Sequence, residues 1–173
     1  MNKNTYRIIL ELLFSLIIIF SLNSCQNNKD KIKQRISEFQ SKQINLPYIH
    51  NTISNKDYTI ATFIDGNCKV CIEELKKWEK WIEKDSSHVR FAIYLHATDP
   101  VRIQQIDSTY WEMKYQLIPD TTKKYLKDNN LDKHEKIFQT FLLDKKGKVL
   151  LTGNPLSNND LTRLYRQIIY SKK

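Results

Sequence analysis

The sequence predicts an α/β protein, a central mixed β-sheet flanked by helices on both faces with an N-terminal helical extension. Three observations predict it. Runs of β-branched and aromatic residues recur at strand length between stretches whose apolar residues keep helical spacing. A glycine-bearing turn joins two such runs into a hairpin near the C-terminus, and the last stretch carries an amphipathic stripe. Strands alternating with helices, closed by a hairpin and a helix, bury their apolar faces best as a sheet covered on both sides. At 173 residues the chain suits one core better than two.

The first residues stand apart from that core. Lys3 and Arg7 flank an apolar run from Ile8 to Leu22, interrupted by Glu11. The run is shorter than the roughly 20 residues a bilayer span needs, so it reads as a secretory signal. It ends in Leu22-Asn23-Ser24-Cys25, which resembles the lipobox of bacterial lipoproteins, with Cys25 as the lipidated residue and new N-terminus. An ordinary signal peptide with an incidental Cys25 is the alternative. Gln26 follows, so an inner-membrane retention Asp is missing from that position. The expected organisation is a lipoprotein signal peptide over 1–24, a lipidated tether and short helix over 25–45, and the main domain over 46–173.

The elements follow in order. Ile32, Ile36, Phe39 and Gln43 recur every three or four residues, predicting a short helix over Lys31–Gln43 that Pro47 stops. Tyr58–Ile64 reads as a strand, left through the turn Asp65-Gly66-Asn67. Beyond Cys71, the residues Ile72, Leu75, Trp78 and Ile82 keep helical spacing up to Asp85-Ser86-Ser87. Val89–Leu95 is the next strand, and Asp99-Pro100 opens a helix with a capping aspartate and a first-turn proline. Tyr115–Ile118 reads as a short strand and Thr121–Lys127 as a short helix. Thr140–Leu143 and Lys148–Leu151 flank Asp144-Lys145-Lys146-Gly147, a turn with glycine where positive φ is wanted. Leu161, Leu164, Tyr165, Ile168 and Ile169 form the stripe of a final helix.

Chemistry concentrates in FIDGNCKVCIEELKKW, where Cys68 and Cys71 lie between a strand and a helix. If Cys25 is lipidated, these two are the whole remaining cysteine inventory, in a compartment where disulfides persist. Strand, C-x-x-C, long helix, second strand, the hairpin Thr-Phe-Leu-Leu-Asp-Lys-Lys-Gly-Lys-Val and a closing helix together resemble the thioredoxin fold. Within it the chain is most similar to the TlpA/ResA-like thiol-disulfide oxidoreductases, over roughly Tyr58 to Tyr170. The resemblance implies a membrane-anchored enzyme exchanging disulfides with exported proteins, with Cys68 as nucleophile and Cys71 as resolving thiol. Two residues between the sulfurs let them bond, while a helix N-terminus stabilises a thiolate on the first. Lys69 would add positive charge.

The sequence departs from the family pattern at two positions. Asn67 stands where Trp is common before the first cysteine, and Phe138, ahead of Thr140-Phe141, stands where the family has a cis-proline that lines the substrate groove and keeps metal off the dithiol. Thr62 takes the place of the buried carboxylate of thioredoxin itself. Asp65 and Glu74 are the nearer acids for assisting proton transfer, although plain surface acids would look the same.

Other readings compete. Copper as a cofactor, held by Cys68, Cys71 and His134 as in Sco-like chaperones, suits soft ligands, but those proteins usually separate the cysteines by three residues. A non-catalytic binding module with a static bridge is a third reading, yet so short a loop gains little stability from a bridge. The Pro and Thr that precede a peroxidatic cysteine are missing. The net charge is +9; Lys3, Arg7 and Glu11 leave with the leader, a net of +1, so the mature part carries +8. Lysines alternate with acids and no nucleic-acid motif accompanies them, so nucleic acid is not an expected partner. Expected partners are exported protein thiols or disulfides and a membrane redox partner. The expected location is the cell envelope, lipid-anchored, facing the periplasm or on the outer membrane.

Overall fold

Five strands, β1 (Tyr58–Asp65), β2 (Val89–His96), β3 (Leu117–Pro119), β4 (Phe141–Asp144) and β5 (Val149–Thr152), form one sheet in the order β3-β2-β1-β4-β5. The computed structural model describes residues 33, 34, 36–49, 56–110 and 117–171. The signal, Cys25, the tether, Ile32, His50, Trp111 and the Tyr115-Gln116 start of the expected strand lie outside the described residues. The chain divides into two units, 1–38 and 39–173; described residues of the first are helical, and the sheet belongs to the second.

Strand β1 pairs in parallel with β2, from Tyr58↔Val89 to Asp65↔His96, and antiparallel with β4; β2 and β3 are parallel, β4 and β5 antiparallel. Parallel neighbours require crossovers, which helices supply. Helix α1 (Lys69–Asp85) joins β1 to β2, and α2 (Pro100–Thr109) follows β2. The side chain of Asp99 accepts from the Val101 N–H with Pro100 in the first turn of α2, the expected cap. Helix α3 (Lys124–Asp128) precedes a 3-10 turn at Lys136–Gln139, and α4 (Asn159–Tyr170) closes the chain after a second at Pro155–Ser157.

Alternation along the strands sends side chains to two layers. Ile60, Ile64, Phe91, Ile93, Leu95 and Leu142 cluster with Leu75, Trp78 and Ile82 of α1, Ile103 and Ile106 of α2, and Tyr165 and Ile169 of α4. On the opposite face Tyr94 stacks on Tyr125 of α3 at 4.3 Å, and Phe141 meets Phe39 at 5.3 Å. Trp78 and Trp81 are core residues, with Trp81 edge-on to Tyr165. The architecture is the expected α/β fold, a mixed sheet covered on both faces.

Three local expectations change. The first helix stops at Phe39, not Gln43: Ser41 takes φ 67°, and Gln43 instead forms an antiparallel bridge with Lys148. The Ile44 N–H donates to the Gly147 carbonyl and the Val149 N–H to that of Lys42, so this segment covers the outer edge of β5. The short helix begins at Lys124, after Asp120 turns the chain: the Asp120 carboxylate, fully buried, accepts from the N–H groups of Lys124 and Tyr125. On α4 the buried line runs through Tyr165 and Ile169, leaving Leu164 on the flank at 43% exposure. Gly147 takes φ +80°, as the hairpin turn requires.

Candidate active site

The C-terminal end of the central strand β1 delivers the dithiol. Asp65 ends the strand, and its Oδ1 accepts from both the backbone N–H and the Nδ2 of Asn67, closing a tight turn. Gly66 passes against β2: its N–H donates to the His96 carbonyl, and a Cβ at this position would lie 2.8 Å from that oxygen. Asn67 then accepts at Oδ1 from the N–H and hydroxyl of Thr98. These bonds fix the turn to the β2–α2 loop immediately before Cys68.

Cys68 is the N-cap of α1, with extended φ/ψ and a side chain that makes no cap hydrogen bond. No acid occupies the first turn, so no carboxylate there competes for the helix-start N–H groups or offsets the positive end of the helix dipole beside Cys68. Cys68 is half-buried and Cys71, one turn on, is buried; both are free thiols. A hydrogen bond from the Cys71 thiol holds Cys68 below the ordinary thiol range; the Cys71 backbone, the Lys136 charge and the Val70 backbone act the same way, against partial desolvation. Burial pushes Cys71 up, and its bond to Cys68 adds to this, while Lys136 opposes. The two sulfurs are therefore unequal, the outer one favouring thiolate and the inner one thiol.

Lys136, in the 3-10 turn before β4, reaches across to this pair. Its Nζ donates to Cys71 Sγ at 3.4 Å and to Glu74 Oε2 at 2.9 Å. The Asn154 amide, after β5, donates to the other Glu74 oxygen. Burial works against the Lys136 charge, but the hydrogen bond and charge of Glu74, with those of Cys71, outweigh it and raise its pKa. Beside this cluster, Val70, Glu73, Glu74 and Lys77 of α1 face Asn154 and Leu156 across a shallow cavity of about 210 Å³. Val70 is 72% exposed and Ile137 44%, giving apolar surface near the pair.

The other expected residues have distinct places. Asp65 serves the turn and Glu74 stands next to the inner sulfur, through Lys136. Lys69 is exposed, and the cation in contact with the pair is Lys136. Phe138 is buried and stacks on Phe39, and no cis peptide occurs among the described residues. Thr140 directs its hydroxyl to that of Thr62, 2.7 Å away, both buried. His134 packs its ring on Phe39 at 5.2 Å, and no group of three or more His, Cys, Asp or Glu side chains among the described residues is arranged to hold a metal; the structure does not bring His134 to the sulfurs. Sequence reasoning missed Lys136 and Asn154. Lys136 stands in a charged loop with Asp132, Lys133 and Glu135, where nothing in spacing distinguishes one lysine from another.

No protein-family model matches the chain, and no curated protein matches it. Solved structures do. A domain of a "possible thiol-disulfide isomerase" from Cytophaga hutchinsonii superposes with a TM-score of 0.58 at 15% identity, covering 77% of this chain and 97% of that one. DsbF of Mycobacterium tuberculosis (MTB), in mixed oxidised and reduced forms, gives 0.52 at 16% identity, covering 65% and 81%. A Chlorobium tepidum protein provisionally named thiol:disulfide interchange protein DsbE gives 0.51 at 14%, covering 76% and 92%. At such identities the likeness speaks to fold, and the fold is thioredoxin-like.

Proposed function

We propose that the chain is a lipid-anchored thiol-disulfide oxidoreductase of the cell envelope that exchanges disulfides with exported proteins through Cys68 and Cys71. The observation that carries this reading is the inequality of the two sulfurs: Cys68 at the helix start is drawn towards thiolate, and Cys71 behind it is buried as thiol. A staple would have no use for that difference, whereas exchange needs it.

The Cys68 thiolate attacks one sulfur of a partner's disulfide, forming a mixed disulfide and releasing the partner's other sulfur as thiolate. Cys71 loses its proton to solvent and attacks Cys68. The Cys68–Cys71 bond forms, the mixed disulfide breaks, and the partner leaves reduced by two electrons. The reverse sequence oxidises a partner. Electrons pass from sulfur to sulfur, so the chemistry calls for no cofactor. Neighbours named for thiol-disulfide isomerisation and interchange support the reading. The Leu22-Asn23-Ser24-Cys25 sequence supports the lipid anchor, with a membrane redox partner to restore the dithiol and a site facing the periplasm or carried on the outer membrane.

The test is covalent trapping. Cys71→Ser in the full chain should accumulate mixed disulfides with envelope proteins, seen as thiol-sensitive high-mass bands, and Cys68→Ser should accumulate none. Equal turnover by both variants would remove the mechanism.

A further inference from the structure

The exchange reaction requires Cys71 to bear negative charge at one step, and a buried sulfur bears it only with a compensating partner. The helix start does not supply one, because the N–H groups there serve Cys68. Lys136 does, from a segment 65 residues away in the chain. We propose that Lys136 is a catalytic residue of the exchange, its ammonium being the cation against which the resolving sulfur of Cys71 carries its charge, and that Glu74 and Asn154 are positioning residues that aim it. This rests on reading the Cys68/Cys71 pair as an exchange centre.

The geometry separates the roles. Glu74 lies three residues after Cys71 on α1, so its carboxylate shares the side of the helix that the sulfur occupies. One oxygen takes the Lys136 ammonium at 2.9 Å and the other takes the Asn154 amide. With both oxygens engaged by fixed donors, Glu74 is built as a clamp for a cation instead of a free proton acceptor. Lys136 remains charged throughout. When Cys71 ionises, the proton goes to solvent and the ammonium already in contact meets the new charge; when Cys71 is the leaving group in the reverse direction, the same contact receives it.

Among the described residues, the groups that act on Cys71 are Cys68 at the start of its own helix and Lys136 from the 3-10 turn, with Glu74 beside it; the Tyr110 hydroxyl, at the C-cap of α2, donates to the neighbouring Ile72 carbonyl. His134, two residues before Lys136, turns to Phe39.

The experiment follows the pH dependence of Cys71 alkylation in the full chain carrying Cys68→Ser, read by peptide mass so that Cys25 is counted separately. Adding Lys136→Met should slow Cys71 alkylation at pH 7 by about tenfold or more and move its profile to higher pH, since a contact counter-charge shifts an acid by one unit or more. Lys136→Arg should keep most of the rate, and Glu74→Gln should shift the profile in the same direction by less. An unmoved profile in folded Lys136→Met overturns the proposal. Should that variant fail to fold, Lys136→Gln is read by the same criterion, and an unmoved profile in Glu74→Gln overturns the positioning role. The profile is read without any partner protein. A shifted profile with no exchange of protein disulfides therefore counts against the oxidoreductase, and intact exchange with an unmoved profile counts against Lys136 alone.

Discussion

Thr62 and Thr140 share a single hydrogen bond inside the sheet, 2.7 Å between hydroxyls that are 1% and 2% exposed. Removing one partner leaves the other buried without a bond, which costs about 1–3 kcal/mol, whereas removing both with shape kept is close to neutral. Thr62→Val should therefore lower the urea midpoint with an unchanged slope, and Thr62→Val/Thr140→Val should regain most of the loss; additive losses would show that the pair is not the unit. Cys68 supplies a second prediction at this scale. Held below the ordinary thiol value by the Cys71 thiol first, it ionises at lower pH than a free cysteine, so its thiolate and its reactivity persist as pH falls through that range. Alkylation of Cys68 by iodoacetamide should reach half its limiting rate at a lower pH than a free cysteine does, and Cys71 at a higher one; a single profile common to both and to a free cysteine would contradict the asymmetry. The cysteines and Thr62 were visible in the sequence because motif spacing marks them, and Glu74 because it is an acid close to the pair. Lys136 was not, because its role depends on a chain reversal that returns a charged loop to the helix start.

Among elements, the turn from β1 to α1 is the most constrained. Gly66 has no room for a side chain, since a Cβ would sit 2.8 Å from a backbone oxygen of β2 and 3.1 Å from Ile106 Cδ1. Backbone cannot yield as a side-chain tip can, so Gly66→Ala should cost about 1–3 kcal/mol by overpacking, and the separation of the two strands should disturb Asn67 and slow Cys68 alkylation as well. A variant with wild-type midpoint and alkylation rate would show that the turn is softer than this packing implies. The sequence read this turn correctly from Asp65-Gly66-Asn67, but its reading of Gln43 failed for an instructive reason. Apolar spacing of three and four is equally satisfied by a helix and by a helix that stops at a left-handed Ser41 to become an edge-covering segment. The choice is made by the free edge of β5, a partner more than 100 residues away that local periodicity does not contain.

For the whole molecule, strand and helix alternation specified the α/β class, and the order β3-β2-β1-β4-β5 supplies the function-bearing consequence: the dithiol leaves the end of the central strand, with β4 and the segment before it on one side and the β2–α2 loop on the other. Only the folded chain brings Lys136, Asn154 and Thr98 to that point, which is why the pair and Glu74, on the same helix, were legible in sequence and these three were not. The central claim, that this pair is a working redox couple and not a staple, is tested most directly by a glutathione titration of the full chain, with Cys68 and Cys71 followed by peptide mass after alkylation. The account predicts a reversible two-electron transition between roughly −270 and −120 mV, the span of thioredoxin-fold oxidoreductases. A pair that stays oxidised across the whole range, as structural bridges below about −300 mV do, would contradict it.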